Sequence, residues 1–186
     1  MIEEVNKTIE ALKKGAVILY PTDTVWGLGC DATNEMACKK LSEIKQRDRS
    51  KSLIVLVNSI AMLEKYANSI PEVALQLVEL ADKPLTIVYP SAVNLSAQVA
   101  ANDGSVGIRV TQHPFCNKLI EMFRKPIVST SANLSGAKTP GCFAEISPEI
   151  IAKADYVVHY EQNLISRRKP SPIIKFHSDG SFNIIR

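Results

Sequence analysis

The sequence is short of most features that mark a specialised chemistry. Aromatic residues make up 6% of its 186 residues, and there is a single tryptophan, Trp26. That leaves few rings on which the bases of a single strand can stack. The net charge is only +3, well short of a dedicated nucleic-acid binder, so any affinity for anions must be local. The four cysteines, Cys30, Cys38, Cys116 and Cys142, contain no C-x-x-C pair and lie far apart along the chain. This spacing argues against a zinc site and against a disulfide framework; free thiols in a reducing cytoplasm are expected. The three histidines, at 113, 159 and 177, suggest neither a ligand set nor a triad, and structural or surface roles are expected for them. The longest uncharged stretch, residues 84–102, is interrupted by two prolines and several Asn, Ser and Gln residues, which spoils it as a membrane span. Residues 1–15 begin with acids and continue as an amphipathic helix, unlike a signal peptide.

What is present suits an ordinary soluble domain: 46% apolar and 22% charged residues. A chain of this length can bury roughly 70% of its unfolded surface without a staple, and residues 1–186 are read as one domain. Ile2, Val5, Ile9 and Leu12 recur at helical spacing before Gly15. Residues 16–20 and 53–57 read as short apolar strands, with a helix between them capped by Asn34 and ending near Lys45. Helices are expected at 59–67, 71–81, from Pro114 and from Ser147, and strands at 84–90, 105–110, from Pro126 and at 155–160. Residues 172–186 read as a β-hairpin turning at Asp179-Gly180. Strands and helices interleave, but the last two strands are antiparallel. The expected fold is therefore α/β, a mixed sheet covered by helices.

Three segments carry chemistry. In YPTDTVWGLG (20–29), Gly27 and Gly29 allow tight turns, Thr22 and Thr24 offer hydroxyls, and Asp23 is an acceptor for an amine or another cation. In IKQRDRSK (44–51), Lys45, Arg47, Arg49 and Lys51 crowd the entrance to an apolar strand. Lys45 and Arg47 do not share a face on a regular helix; they work together only if the helix ends there. STSANLSG (129–136) places five polar side chains within seven residues directly after an apolar strand, a source of hydroxyls and backbone N–H groups for an anion. It matches neither a P-loop nor a Rossmann turn, and no nucleophile elbow surrounds Ser131. Taken singly, each segment is equally well explained as an ordinary turn or as cations answering a helix dipole. Arg109 stands alone in the strand VGIRV; such a residue faces solvent, pairs with an acid or reaches a carboxylate ligand.

Together, PTDTVWGLG, K-x-R before an apolar strand, VGIRV-x-x-HP and STSAN-x-SG, in this order, resemble the YrdC family of threonylcarbamoyl-AMP synthases in the short, single-domain form. The resemblance covers roughly residues 5 to 186. It implies a twisted open sheet around one basic cavity, and the conversion of L-threonine, bicarbonate (or carbon dioxide) and ATP to threonylcarbamoyl-AMP and pyrophosphate. The product serves threonylcarbamoyl modification of adenosine 37 in tRNA, completed by a separate transferase complex. The family's K-x-R and S-x-N tetrad corresponds here to Lys45, Arg47, Ser131 and Asn133. By the same resemblance Arg47, Lys51, Ser105, Asn133 and Ser171 face ATP, with Lys45 supporting the cavity field. Thr24, Arg109 and Ser131 face threonine, Trp26 supplies an aromatic wall, and magnesium accompanies the ATP. No protein metal site is implied. The chain departs from the family pattern at Leu56, where some members place a polar threonine contact, at Pro172 beside Ser171, and at Gly141. The competing reading is a non-catalytic module for double-stranded RNA, since a basic cleft suits a phosphate backbone. Against it stand the small net charge and the absence of a long basic stripe.

Overall fold

A computed structural model of the chain describes residues 1–46, 52–164 and 169–186. Helix α1 (Ile2–Lys13) leads into β1 (Ile18–Tyr20), β2 (Gly27–Gly29), α2 (Glu35–Lys45) and β3 (Ile54–Val57). After α3 (Ile60–Leu63) come β4 (Ala67–Asn68), α4 (Glu72–Leu80), β5 (Thr86–Tyr89), β6 (Ser91–Ala92), β7 (Val106–Val110), α5 (Pro114–Phe123) and β8 (Ile127–Ser131). The chain closes through α6 (Pro148–Lys153), β9 (Tyr156–Val157) and the hairpin β10 (Ile173–Phe176)–β11 (Phe182–Ile184). Nine strands form one sheet in the order β11-β10-β5-β7-β3-β8-β2-β1-β9, and β4 pairs with β6 apart from it. The pairs β1/β9, β3/β7 and β5/β10 are parallel, and the remaining pairs antiparallel, so the sheet is mixed, as expected.

Alternation of side chains along each strand divides the interior in two. β3 sends Val55 and Val57 to one face and Leu56 to the other; β8 separates Val128 from Ile127, and β1 separates Leu19 from Ile18 and Tyr20. On the first face α2 packs Ala37, Cys38 and Leu41. On the second, α1 (Val5, Ile9, Leu12) and α5 (Phe115, Leu119, Ile120) cover the sheet. Caps form where the sequence places them: Asn34 Oδ1 accepts from Ala37 N at 3.1 Å, and Ser147 Oγ from Ile150 N at 3.3 Å. Leu56 is fully buried in the α1/α5 core, which accounts for an apolar residue at that position. Among the described residues no helix is long and apolar enough to cross a membrane.

Several expectations need correction. The tight turns expected at Gly27 and Gly29 are absent: Gly27–Gly29 form β2, paired antiparallel to both β1 and β8. The glycines there serve close approach rather than a turn. A Cβ at Gly29 would lie 2.1 Å from Val128 O and 2.7 Å from the Tyr20 ring. Ser129, Thr130 and Ser131 belong to strand β8 rather than to the loop after it. The helix expected at 59–67 stops at Leu63 because Ala67 and Asn68 are drawn into pairing with β6. All four cysteines are free thiols. Cys30 and Cys38, although separated along the chain, meet with Sγ atoms 3.7 Å apart.

Candidate active site

On the face carrying α1 and α5, the helices cover only part of the sheet. Along β8 the residues of that parity run Ile127, Ser129, Ser131, from core to polar; along β7 they are Gly107 and Arg109. Where the apolar residues give way, a cavity of about 760 Å³ opens, walled by residues from β2, β3, β5, β7, β8 and β10. Thr24, Lys45, Ser105, Arg109, Ser131, Asn133 and Ser171, spread over almost 150 positions of sequence, all line it. Arg47 and Lys51 lie outside the described residues. Trp26 is not among the lining residues; its ring packs against Phe143 at 4.8 Å between centroids, so it is a core residue behind the site and not its wall.

Lys45 is the last residue of α2, and Gln46 turns the chain away in the left-handed conformation (φ 46°), the helix end that the K-x-R spacing demanded. Its Nζ crosses to β8 and donates to Ser131 O at 2.8 Å and to Asn133 O. No carboxylate pairs with it among the described residues, and burial lowers its pKa to about 8. Asn133 spends its amide protons on Leu134 O (2.9 Å) and Ala137 O (2.7 Å), shaping its own loop and leaving Oδ1 toward Lys45, 3.5 Å away.

Arg109 has found an acid within the chain. Its Nη2 lies 3.1 Å from Asp23 Oδ1, with side chains 3% and 7% exposed. Asp23 Oδ2 also accepts from Thr111 Oγ1 at 3.2 Å. The isolated arginine of the strand is therefore charge-matched before any ligand arrives. Its donors are not exhausted: Nη1 reaches Ser171 Oγ only at 3.4 Å, and the buried Nε has no partner. Thr24 shares a hydroxyl–hydroxyl bond of 3.1 Å with Thr22. Ser171 Oγ is held by Thr86 Oγ1 at 2.8 Å. Ser105 donates its hydroxyl to Asp103 Oδ1 at 2.5 Å, and Asp103 is further engaged by Lys175 at 2.7 Å. Those bonds, Lys175's first, hold the Asp103 carboxyl far below the usual range. Ser105 thus offers a ligand lone pairs rather than a proton.

Sequence reasoning missed Lys175, Arg186 and the two acids behind the cavity, Asp23 as a partner of Arg109 and Asp103. One signal was available for Lys175: two residues after Ile173 in a strand, it must share a face with it. Lys45, Arg109, Lys175 and Arg186 bring four cations to the cavity; ten of the described lining residues carry hydroxyls, and none is a carboxylate. Such a wall binds polyanions and repels isolated metal ions. Among the described residues no group of His, Cys, Asp or Glu is arranged to hold a metal.

The cavity's chemistry agrees with the chain's relationships. A protein from Vibrio cholerae serotype O1 named threonylcarbamoyl-AMP synthase is 36% identical over 176 residues, 93% of either chain. One of the same name from Psychromonas ingrahamii is 44% identical over 135 residues, 71% of each. The structure of P. abyssi Sua5 complexed with L-threonine superposes with a TM-score of 0.86 at 27% identity, over 98% of this chain and 53% of that one; the chain spans about half the length of Sua5. E. coli YciO shares the fold, with a TM-score of 0.85 at 23% identity over 98% of this chain and 87% of its own. The Sua5/YciO/YrdC family model, described as telomere recombination, matches residues 10–186. From β1 to the final hairpin, cavity included, the chain belongs to the Sua5/YciO/YrdC family.

Proposed function

We propose that this chain is an L-threonylcarbamoyladenylate synthase, a nucleotidyltransferase that joins L-threonine, bicarbonate (or carbon dioxide) and ATP into threonylcarbamoyl-AMP and releases pyrophosphate, with one water as well when bicarbonate is the carbon source. The observation that carries the reading is a cavity whose described lining carries four cations and ten hydroxyls and no carboxylate side chain, in a chain whose relatives bear that name. The amino acid is placed at Arg109, whose spare Nε and Nη1 donors suit its carboxylate, with Thr24 and Ser131 beside it. The nucleotide is placed against Lys45, Ser105, Asn133 and Ser171, with Arg47 and Lys51 assigned to its phosphates by family resemblance. The threonine carbamate oxygen attacks the α-phosphorus, the bond to the bridging oxygen breaks, and negative charge gathers on the departing pyrophosphate. Cations fixed by the fold stabilise that charge without reorganising. Magnesium is assigned to the ATP: with hydroxyls and carbonyls as the cavity's own oxygen donors, phosphate oxygens and water supply most of its ligands. The product is taken to pass to a tRNA threonylcarbamoyl-transferase complex acting at position 37. A cytoplasmic setting is supported by the four free thiols.

Purified protein incubated with ATP, magnesium, bicarbonate and threonine is expected to yield a species of the mass of threonylcarbamoyl-AMP together with pyrophosphate. Pyrophosphate release that does not require threonine, or no product at all, would refute the assignment.

Lys45 makes the reaction sensitive to alkali. Its folded pKa, about 8, lies below the ordinary 10.5, so the unfolded chain binds more protons between those values. The cost of burying the charge is complete below pH 8, and folding stability recovers as pH rises through the window. An anion beside Lys45 favours its charged form and is lost with the proton. ATP affinity should therefore weaken above pH 8, by up to about tenfold per unit if Lys45 alone dominates. Lys45→Arg, charged throughout the range, should flatten the profile. An ATP titration at pH 7, 8 and 9 that shows no difference between the two proteins would count against this role.

A further inference from the structure

β11 is the outermost strand on one side of the nine-stranded sheet, and no described strand pairs with its outer side. Edge strands are ordinarily kept from pairing by charge, proline or a covering element. Residues 181–185, Ser-Phe-Asn-Ile-Ile, carry neither a charge nor a proline. Three large apolar side chains stand open there: Phe182, Ile184 and Ile185 are 51%, 73% and 58% exposed. Phe182 lies opposite Phe176, and Ile184 opposite Ile174, so these two extend the face of the sheet that packs against α2.

The backbone of this edge is available in a pattern fixed by the hairpin. Antiparallel strands alternate hydrogen-bonded and non-hydrogen-bonded pairs. His177 N donates to Ser181 O at 2.9 Å and Ile185 N to Ile173 O at 2.8 Å, which marks 177/181 and 173/185 as hydrogen-bonded pairs. Lys175/Asn183 lies between them in register and is of the same kind. Phe182 and Ile184 therefore turn their N–H and C=O groups away from β10, as the groups that an added strand uses.

A second copy of the chain matches them. About a two-fold axis at Asn183, antiparallel β11 strands set Phe182 of each copy opposite Ile184 of the other. Each such pair exchanges two backbone bonds, so every outward group finds a partner and the contact is isologous. Residues opposite one another share a face, so the four apolar side chains pack together. The flanking charges favour this direction. Asp179 precedes the strand and Arg186 follows it, both exposed; antiparallel pairing sets Arg186 of one copy against Gly180 of the other, beside Asp179. A parallel copy would bring like charges together. We propose that this chain self-associates through β11, two nine-stranded sheets joining edge to edge. The axis runs perpendicular to the sheet, so the two cavities, each walled in part by Ile185, open on the same side.

The test is sedimentation equilibrium of the full chain over roughly 1–200 µM, the range of modest protein affinities. The mass should rise with concentration from 20.4 kDa toward twice that value. Ile184→Lys adds the charge that edge strands ordinarily carry. Ile184→Pro removes an outward donor that β10 does not use. Each should weaken association about tenfold or more, the worth of one or two backbone hydrogen bonds, with little change in melting because the side chain is mostly exposed. A cross-link reads the register and stands even if both variants misfold. In a Cys142→Ser background, which leaves only buried native thiols, Asn183→Cys faces its own counterpart in a non-hydrogen-bonded pair, with Cα atoms about 4.5 Å apart and within disulfide reach. Diamide, which takes up the two thiol hydrogens, should convert it to a covalent dimer. Ser178→Cys, at the exposed turn, should stay monomeric. A mass that remains at 20.4 kDa throughout, a dimer that survives both Ile184 variants, or cross-linking no better from position 183 than from 178 overturns the proposal.

Discussion

Arg109→Leu is expected to raise the threonine requirement by about a hundredfold, the worth of one or two charge-assisted hydrogen bonds to a carboxylate, while the ATP requirement moves little. The same change should destabilise the fold, because Asp23 is left buried and unpaired; breaking such a pair costs about 3–5 kcal/mol. The two effects separate in the double variant Asp23→Asn/Arg109→Leu. It removes the stranded charge and keeps an acceptor for Thr111 Oγ1, which now bonds Asp23. Its melting temperature should recover most of the loss, but its use of threonine should not recover. Pyrophosphate release with each substrate varied in turn, together with thermal melts, reads both. A defect lying mainly in ATP, or activity restored by Asp23→Asn, would mean that Arg109 serves the architecture and not the amino acid.

The second large effect is structural. Gly29→Ala should cost more than about 3 kcal/mol, beyond ordinary overpacking, or abolish soluble expression. The added methyl would sit 2.1 Å from Val128 O, and that carbonyl also accepts the Tyr20 hydroxyl at 3.0 Å. Neither neighbour can retreat: Tyr20 is fully buried, and Val128 N is bonded to Cys30 O at 2.9 Å. Gly107→Ala is the control. Its Cβ would meet Ser52, Thr86 and Ile54 side chains at 3.5–3.7 Å, ordinary contact, and should cost under about 1 kcal/mol. Urea unfolding of the two variants compares them directly. A Gly29→Ala protein as stable as Gly107→Ala would show that β2 can separate from β8 without penalty.

The elements most legible in the sequence are those whose local signal is strong. The periodicity of α1, the Asn34 cap, the apolar run of β3 and the Asp-Gly hairpin each specify their structure within a few residues. The elements missed are short and held by partners. In β2, Gly-Leu-Gly has little strand propensity of its own. It is extended because β1 and β8 bond it from both sides, and it carries glycine because Tyr20 and Val128 crowd the strand. Ser129 to Ser131 look like loop because polar residues seldom sit in a central strand; Ser129 and Ser131 do so here because their face of β8 is turned to the cavity.

The site divides in the same way. Its residue types, and through the family resemblance the positions that carry them, are written along the chain: Lys45, Ser105, Arg109, Ser131, Asn133 and Ser171 all reach one cavity. What each does there depends on neighbours brought from far away in sequence. Asp23 matches Arg109 across the turn after β1, Asp103 binds both Ser105 and Lys175, and Ser171 joins Arg109 to Arg186. Alternation along a strand sets which side chains share a face, and that much is local. Which strands lie side by side is set by crossovers and by the burial of both sheet faces. Only that arrangement decides that Arg109 is already neutralised by Asp23, and that Lys45, with no carboxylate partner among the described residues, lines the cavity.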